Sequence, residues 1–487
     1  MYLDHQFLTL AVPELECISS SSLSDYIFSI DSRTVQPGEL FIALPGEKVD
    51  GHTFCENALR KGAAGLVIAS NKKDILKKID SNLLHNKYIV AVPDPKTALV
   101  TWATAWRQQF TIPVIGITGS VGKTSTKEIT SAILTAACIK HVSSIHNQNT
   151  LLGISLNMLR LTDEHKAAIF EFGINKRGEM AQLAQLVKPT FALITSIGHC
   201  HMEGLGSLQD IAIEKRDIFK YFTEQSIGIV NGDVPLLSQV SYIHPVVKFG
   251  TKTINQIQAR KIRVSDGKTD FVMKVYKQKY MVSLPHMHEG AVSNALAAAT
   301  IAHMLQVPMD VIVQTIQMPL KIKGRFEERK LRQNTGTIIN DCYNANPESM
   351  KAALLAFEKY DTQADKIAIL GDMLELGVTT AFWHRQLGRF LRKVPSLKRL
   401  ILVGSYVQST KKTAPITLQV EIVPTWQEAL VKIEEIIAQT KSVVLVKASR
   451  AMQLNSLVDA LTTDVHYIQK EQARTTHVKA SESSLHG

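Results

Sequence analysis

The stretch Val114-Ile-Gly-Ile-Thr-Gly-Ser-Val-Gly-Lys-Thr124 decides how the middle of this 487-residue chain folds. Its first five residues predict a buried strand, its glycines predict a tight turn, and a helix is expected to begin near Thr124. In such a corner, glycines let backbone N–H groups turn towards phosphate oxygens, and the helix adds the positive end of its dipole. The stretch therefore predicts a nucleotide-binding α/β domain.

The side chains of this loop have separate predicted roles. Lys123 would reach the β- and γ-phosphates, and the Thr124 hydroxyl would bind Mg²⁺. The predicted ATP contacts in the loop are Gly119, Ser120, Val121, Gly122, Lys123, Thr124 and Ser125. Ile117 occupies a position where the strict phosphate-loop pattern has glycine, so a purely structural corner is the alternative. Phosphate loops serve many reactions, so the loop alone does not identify one.

Strand and helix patterns alternate on both sides of the loop. Short strands are predicted at 39–44 and 64–68, and a helix at 95–109 leads towards the loop. Further β-rich runs, separated by amphipathic stretches, occur at 114–118, 167–172, 191–195, 337–340, 366–370, 399–403 and 442–446. This alternation predicts parallel sheets covered by helices.

The pattern divides into three predicted α/β domains. Residues 1–98 would form a small N-terminal substrate-binding domain, and residues 99–320 a central P-loop ATPase with a mainly parallel sheet. Residues 321–470 would form a Rossmann-like, doubly wound C-terminal domain of about five strands. The segment 471–487, rich in Ser, Thr and His, is predicted to be a disordered tail.

Bulk composition argues against several classes of protein. The longest apolar run, around 295–305, contains His303 and is too short to span a membrane. Five scattered cysteines are typical of reduced thiols in a cytoplasm. The net charge of +11 is spread along the chain, which disfavours nucleic acid and suits polyanionic substrates. We expect a cytoplasmic monomer with no membrane span and no nucleic-acid partner.

Several further motifs follow one another in a fixed order. They are Asp31-Ser-Arg33, Asp50-Gly-His52, Glu171-Phe-Gly173, Thr195-Ser-Ile-Gly-His-Cys-His-Met-Glu203, Gly324-Arg-Phe-Glu327, Asp341-Cys-Tyr-Asn-Ala-Asn-Pro347 and Leu370-Gly-Asp-Met-Leu-Glu-Leu-Gly377. Together with the phosphate loop, they resemble the Mur ligases across nearly the whole chain. The last two motifs most resemble the branch of that family that adds D-alanyl-D-alanine to UDP-N-acetylmuramoyl-tripeptide.

The resemblance implies an ATP-dependent amide ligase of peptidoglycan precursor synthesis that works through an acyl phosphate. UDP-N-acetylmuramoyl-tripeptide would supply the carboxylate, and D-alanyl-D-alanine the amine. The alternatives are an amino-acid-adding Mur ligase, a folylpolyglutamate synthase, or a nucleotide-gated binding protein with a degenerate site. The stretch 343–347 disfavours the first two. The third is disfavoured by five intact residues, Lys123, Thr124, Glu171, His201 and Lys215.

The metal site is predicted partly from chemistry and partly from the resemblance. Glu171 ends a strand beside the loop and is a hard oxygen donor for Mg²⁺, although a cap or an ion pair is the alternative role. The resemblance adds His201, in preference to His199, and Lys215, which would carry a carbamate formed with CO₂. The predicted metal ligands are Thr124, Glu171, His201 and Lys215, for two Mg²⁺ ions; Lys123, His201 and Lys215 are the predicted catalytic residues.

The remaining predictions concern nucleotide and substrate contacts. Arg325 would clamp phosphate with its planar fork, whereas the resemblance gives Asp341 and Asn294 contacts to ATP. The motif at 341–347 fits a capped turn entering a helix equally well. Ser32 and Arg33 are predicted to bind the uridine diphosphate, and Asn147 and Asn149 to contact the acceptor substrate or to form a turn. The chain departs from the family pattern at Ser196, Gly290, Ala291 and Ala448.

Overall fold

The computed structural model describes residues 3–20, 25–46, 49–145, 147–265, 267–285, 289–332, 335–360 and 362–462. These residues form three β-sheets of five, nine and six strands, each packed against helices. The three-domain α/β architecture predicted from the sequence is therefore confirmed. The predicted tail at 471–487 lies outside the described residues.

The N-terminal sheet is mostly parallel. Its strands are β1 (Glu16–Ser19), β2 (Ile27–Ser29), β3 (Glu39–Ile42), β4 (Gly65–Ala69) and β5 (Tyr88–Val92). They lie in the order β1-β5-β4-β3-β2, with β1 antiparallel to β5 and the others parallel. The accompanying helices are α1 (His5–Ala11), α2 (Cys55–Arg60), α3 (Ser81–Leu84) and α4 (Pro95–Arg107).

Helix α4 joins the N-terminal domain to the central one. It begins at Pro95 because the Asp94 side chain accepts hydrogen bonds from the first free backbone N–H groups. The indole of buried Trp102 donates to Leu8 O (3.0 Å), and that of Trp106 donates to Leu161 O (3.0 Å). The helix predicted at 95–109 is thus present, and the domain boundary predicted after residue 98 falls inside it.

The central sheet positions the phosphate loop. Its strands are β6 (Val114–Thr118), β7 (His141–Ser143), β8 (Ala167–Glu171), β9 (Phe191–Ile194), β10 (Ile227–Asn231), β11 (Val246–Gly250), β12 (Ile257–Ser265), β13 (Lys268–Val275) and β14 (Gln278–Leu284), in the order β14-β13-β12-β11-β10-β9-β6-β8-β7. Strands β6 and β8 are buried along their whole length. Because β6 runs parallel to β8 and β9, the three strands end at one edge, where ligands bind in such sheets.

Eight helices accompany the central sheet in the part of the chain that the structure describes. They are α5 (Lys123–Ala136), α6 (Leu151–Met158), α7 (Glu179–Val187), α8 (Met202–Leu205), α9 (Leu208–Arg216), α10 (Pro235–Ser238), α11 (Glu289–Met304) and α12 (Met309–Ile316). Within the described ranges, none of the chain's helices is both long and apolar enough to cross a bilayer.

The C-terminal domain is doubly wound. Its strands are β15 (Glu327–Lys330), β16 (Gly336–Asn340), β17 (Asp365–Gly371), β18 (Leu397–Val403), β19 (Gln419–Val423) and β20 (Ser442–Lys447), in the order β15-β16-β20-β17-β18-β19. All neighbours are parallel except the edge pair β15 and β16. The helices are α13 (Pro347–Glu358), α14 (Thr380–Phe390), α15 (Gln408–Lys411), α16 (Trp426–Ile437) and α17 (Leu454–Thr462), and hydrophobic clusters cover both faces of the sheet.

Every strand predicted from the sequence is present, with ends that differ by at most two residues. The sequence did not predict the antiparallel extension β12–β14. In β13, buried and solvent-accessible residues alternate, and β12 is buried only over its first three residues, so the continuous apolar runs that marked the parallel strands are missing there.

Candidate active site

The phosphate loop joins β6 to α5 at the edge where the central strands end. Gly119 and Gly122 have φ angles of 148° and 91°, which residues with a Cβ rarely adopt. A Cβ on Gly119 would overlap Thr195 Oγ1, and one on Gly122 would overlap the Asn294 side chain. Both glycines are therefore required by the shape of the loop and by the close approach of its neighbours.

The segment that follows β9 holds the loop from one side. Ser196 Oγ accepts a hydrogen bond from Val121 N (2.9 Å) and donates to Val121 O (3.0 Å), and Thr195 Oγ1 donates to the same carbonyl (2.6 Å). Ser120 Oγ donates to Gly198 O (3.0 Å) and accepts from Gly198 N (2.9 Å). Ser196, one of the departures from the family pattern, thus fixes the backbone of the loop.

A buried carboxylate lies beside the loop. Glu171, at the end of β8, is 1% exposed and accepts hydrogen bonds from Thr124 Oγ1 (2.8 Å) and Asn149 Nδ2 (3.0 Å). Arg325 Nη2 donates to Thr124 Oγ1 (3.2 Å) from the segment that leads into β15. The structure thus brings together residues predicted for three separate roles: metal binding (Thr124 and Glu171), substrate contact (Asn149) and phosphate binding (Arg325).

This group of residues fits a divalent cation. The Glu171 carboxylate and the Thr124 hydroxyl are hard oxygen donors, which Mg²⁺ prefers. Lys123 Nζ donates to Gly119 O (2.7 Å), which holds the amine across the loop. Among the described residues, no three His, Cys, Asp or Glu side chains form a ligand group. Protein sites for Mg²⁺ commonly use one or two carboxylates, with substrate phosphates and water completing the shell.

Two histidines after β9 face the C-terminal domain. His199 Nδ1 lies 2.6 Å from Glu348 Oε1, and its ring centre is 4.2 Å from that of Trp383. His201 has a left-handed backbone (φ 51°), and its Nδ1 contacts Glu375 at ion-pair distance, although the angle is not that of a hydrogen bond. His201 lines one cavity with Glu171, and its role as a metal ligand stays a prediction.

Lys215, on α9, is enclosed, with 1% of its surface exposed. Burial lowers the pKa of its amine to about 8, and the Lys123 cation acts in the same direction. The neighbouring Glu214 accepts hydrogen bonds from Gly178 N and Met180 N (both 3.0 Å), which fixes α9 against the start of α7. Carbamates form on neutral amines, so the lowered pKa of Lys215 fits the predicted modification.

A cavity of about 230 Å³ lies between the phosphate loop and the C-terminal domain. Its lining includes the predicted ATP contacts Asn294, Arg325 and Asp341. Asp341 Oδ2 lies 2.7 Å from the buried Lys447 Nζ, and its Oδ1 accepts from Phe326 N (3.2 Å). No role for Lys447 was predicted from the sequence, although a lysine inside a buried strand requires a partner, which was a usable signal.

The motif at 341–347 enters α13 as a capped turn. Asn346 Oδ1 accepts from Ser349 N (2.8 Å), and Ser349 Oγ accepts from Asn346 N (3.0 Å), which is a capping box. Asn346 Nδ2 also donates to Ser120 O in the phosphate loop (3.4 Å). The capped turn that the sequence allowed is therefore present, the motif also contacts the loop, and the ATP contact of Asp341 stays a prediction.

A cavity of about 410 Å³ opens between the central and C-terminal domains, and we call it the interdomain cavity. Asn147 and Asn149 line it together with Lys123, Glu171 and His201. Its C-terminal wall includes Arg325, Tyr343, Asn344, Ala345, Asn346, Ser349 and Arg450. Arg450 was not predicted, because the segment 447–450 was noted only for its departure at Ala448.

The turn at 31–33 lines neither of these cavities. The Arg33 side chain is 85% exposed and binds Asp31 (Nη2 to Oδ2, 2.7 Å), and its guanidinium holds the pKa of Asp31 below its usual value. Lys61 Nζ donates to Ser32 O (3.0 Å). The contacts of Ser32 and Arg33 with uridine diphosphate therefore stay predictions.

A phosphate loop that faces a doubly wound C-terminal domain defines a nucleotide-dependent α/β protein, and comparison with known proteins gives the family. Residues 26–104 match the Mur ligase family, catalytic domain; residues 117–302 match the Mur ligase middle domain; and residues 324–450 match the Mur ligase, glutamate ligase domain. The chain belongs to the Mur ligase family.

Its relatives are named consistently. Proteins named UDP-N-acetylmuramoyl-tripeptide–D-alanyl-D-alanine ligase from Bacillus subtilis (strain 168) and Escherichia coli (strain K12) are each 31% identical, over 88% of this chain and 92% of theirs. The crystal structure of MurF from Acinetobacter baumannii superposes with a TM-score of 0.80 and 26% identity, covering 94% of this chain and 98% of that one. MurF ligase from Thermotoga maritima, solved in complex with ADP, shares the fold (TM-score 0.75, 24% identity, 90% and 97% covered).

Proposed function

We propose that this chain is an ATP-dependent amide ligase that joins D-alanyl-D-alanine to UDP-N-acetylmuramoyl-tripeptide in peptidoglycan precursor synthesis, as a cytoplasmic monomer. The observation that carries the proposal is the group at the loop in which Glu171 binds Thr124 and Asn149, and Arg325 reaches Thr124 from the C-terminal side. The relatives named for this reaction support the choice of the two substrates.

The reaction needs two chemical steps. The γ-phosphoryl group of ATP is transferred to the terminal carboxylate of the tripeptide, which forms an acyl phosphate and releases ADP. The amine of the dipeptide then attacks the acyl carbon, and the C–O bond to phosphate breaks as the amide forms. The amine loses its proton, and inorganic phosphate is the leaving group.

The residues of the central domain act mainly on the first step. Backbone N–H groups of the loop and Lys123 hold the phosphates and stabilise the charge that develops during transfer. Mg²⁺ would be held by Thr124 and Glu171, with His201 and a carbamate on Lys215 as the further predicted ligands of two ions, and would neutralise phosphoryl charge. Asn149 donates to Glu171 and lines the same cavity, which supports a role in orienting the carboxylate that is activated.

The second step requires exclusion of water, because water hydrolyses an acyl phosphate. The interdomain cavity has one wall from the central domain and one from the C-terminal domain. A reaction that proceeds between two such walls is shielded when the domains are together, so domain closure is expected to accompany substrate binding.

Phosphate release tests the proposal directly. Purified protein with ATP, Mg²⁺ and UDP-N-acetylmuramoyl-tripeptide is assayed with D-alanyl-D-alanine, D-alanine, diaminopimelate or lysine as the amine. We expect rapid phosphate release and a ligated product with the dipeptide and little with single amino acids.

Two results would contradict the proposal. Ligation of diaminopimelate or lysine to a muramoyl dipeptide, without dipeptide ligation, would place the chain in the amino-acid-adding branch of the family. Nucleotide binding without substrate-dependent phosphate release would indicate a binding protein with a degenerate site.

A further inference from the structure

Arg450 presents a free guanidinium to the interdomain cavity. It begins the short 3₁₀ helix Arg450–Met452 that follows β20, and its side chain is exposed on the C-terminal wall. Within the described parts of the chain, this guanidinium has no hydrogen bond and no ion pair. Its recorded contact is with the ring of Tyr343, whose centre lies 5.7 Å from the guanidinium carbon.

Lys123 and Arg325, which also line this cavity, are engaged on the phosphate side, and Lys96 lines it from α4 rather than from the C-terminal wall. Lys123 Nζ donates to Gly119 O (2.7 Å), and Arg325 Nη2 donates to Thr124 Oγ1 (3.2 Å). Arg325 also packs on Tyr343, with its guanidinium carbon 3.9 Å from the ring centre. The same aromatic ring therefore carries one arginine that serves the phosphate loop and one whose hydrogen-bond donors are unused.

The backbone that carries Arg450 is held firmly. The adjacent Ser449 accepts a hydrogen bond from Leu374 N (2.9 Å) at its Oγ, and its backbone N–H donates to Asp372 O (3.2 Å). Lys447, at the end of β20, is tied to Asp341. A guanidinium whose backbone is fixed and whose N–H donors are unpaired is suited to bind a carboxylate by two parallel hydrogen bonds.

We propose that Arg450 binds the free carboxylate of the amine substrate and so selects a carboxylate-terminated dipeptide; this inference rests on the proposed function. When the dipeptide amine attacks, it is neutral, and the carboxylate is the charge that remains on this substrate. Burying that carboxylate without a partner is costly, and Arg450 supplies the partner on the C-terminal wall.

The shared contact of two arginines with Tyr343 supports this assignment. Arg325 and Arg450 both contact Tyr343, so the free guanidinium stands a short distance from the residue that reaches the phosphate side. A dipeptide bound between them would have its amine towards the loop and its carboxylate at Arg450.

The test compares D-alanyl-D-alanine with its C-terminal amide, which has the same amine but no negative charge. We expect wild-type protein to prefer the acid in kcat/KM by about 10- to 100-fold, the usual range for a charged hydrogen-bonded pair. Arg450→Gln should lose most of that preference, Arg450→Lys should keep part of it, and KM for ATP should stay unchanged in both. Arg389→Gln, which removes an exposed guanidinium on α14 away from the cavity, should match the wild type.

The outcomes separate the inference from the function on which it rests. Wild-type protein that ligates no dipeptide overturns the proposed function, and the inference with it. Wild-type ligation together with an undiminished preference for the acid in Arg450→Gln overturns the inference alone. A raised KM for ATP in Arg450→Gln also overturns it, because Arg450 would then serve the nucleotide. Thermal unfolding of each variant identifies loss of folding, and Arg450→Lys keeps the test decisive if Arg450→Gln unfolds.

Discussion

The two walls of the interdomain cavity are held in different ways. On the central wall, Glu171 is buried and its two carboxylate oxygens accept hydrogen bonds from Thr124 and Asn149. On the C-terminal wall, Arg450 is exposed and Tyr343 contacts it only through the face of its ring. The polar groups of the central wall are therefore already held by hydrogen bonds without substrate. On the C-terminal wall, the N–H donors of Arg450 remain available to bind a substrate.

This difference matches the two chemical steps. Phosphoryl transfer depends on fixed charges and dipoles, which stabilise a transition state best when they need no rearrangement. Recognition of the amine substrate requires groups whose partners are supplied by that substrate. Changes on the central wall should therefore lower kcat, and changes on the C-terminal wall should act on the amine substrate or on how the domains meet.

The largest effect is expected for Lys123→Ala, which removes the cation of the central wall. We expect kcat to fall about 1,000-fold, because the amine acts on charge that develops at the phosphates. Thermal unfolding should change little, since Lys123 makes only one internal hydrogen bond in the described structure. Single-turnover phosphate release measures the effect. A loss of less than about tenfold, or about 1.4 kcal/mol, would show that this loop is not the catalytic phosphate site.

The sequence predicted the central wall well because its determinants are local. The strand Val114–Thr118, the two glycines and the helix start lie within a dozen residues, and Glu171 ends the neighbouring strand. The sequence did not predict which side chains meet across domains. His201 faces Glu375, which is more than 150 residues away, and Arg450 contacts the ring of Tyr343, which is more than 100 residues away.

The turn at 31–33 is a second place where the sequence did not predict the contacts of a side chain. Arg33 fits a uridine diphosphate contact by motif, yet its recorded partner is the neighbouring Asp31. Because the turn at 31–33 makes its hydrogen bonds within itself, these bonds do not indicate which ligand it binds. The hairpin strands β13 and β14 were missed for a related reason, because solvent-accessible polar residues interrupt their apolar pattern.

A second, smaller loss of kcat, about 100-fold, is expected for Lys215→Ala. The enclosed amine has a lowered pKa and is the predicted site of a carbamate, which would supply anionic oxygens to Mg²⁺. Short carboxylic acids such as acetate should restore part of the activity by filling the vacated space with an oxygen anion. Bicarbonate should not, because no amine remains to react. ATP affinity should be retained, as equilibrium binding can show.

A matched control for that variant is Lys127→Ala. Lys127 is equally buried in the central domain, but its amine donates to Ser144 O (2.6 Å) and pairs with Glu128 (2.7 Å). This variant should lose thermal stability, and acetate should not change its activity. Full activity of Lys215→Ala, or equal rescue of both variants by acetate, would exclude the carbamate.

The smallest effect is expected for Glu348→Gln, which weakens a contact between the central and C-terminal domains. Glu348 is near the start of α13 and accepts from His199 N (3.1 Å) as well as facing His199 Nδ1 (2.6 Å). Glutamine keeps the size and one acceptor oxygen but removes the charge. Because the Glu348 side chain is 38% exposed, the pair is worth less than about 1 kcal/mol, and kcat/KM should fall about two- to fivefold.

Salt dependence makes this last prediction specific. The contact is an ion pair only when His199 is protonated, so under conditions where the imidazole is charged, wild type and Glu348→Gln should converge as salt is raised. The control is Glu358→Gln at the other end of α13, where the carboxylate accepts from Ser396 within the same domain. That variant should lower stability without a salt-dependent effect on kcat/KM. If Glu348→Gln instead lowers kcat as strongly as Lys123→Ala, the C-terminal domain takes part in phosphoryl transfer itself, and the division of labour between the walls is wrong.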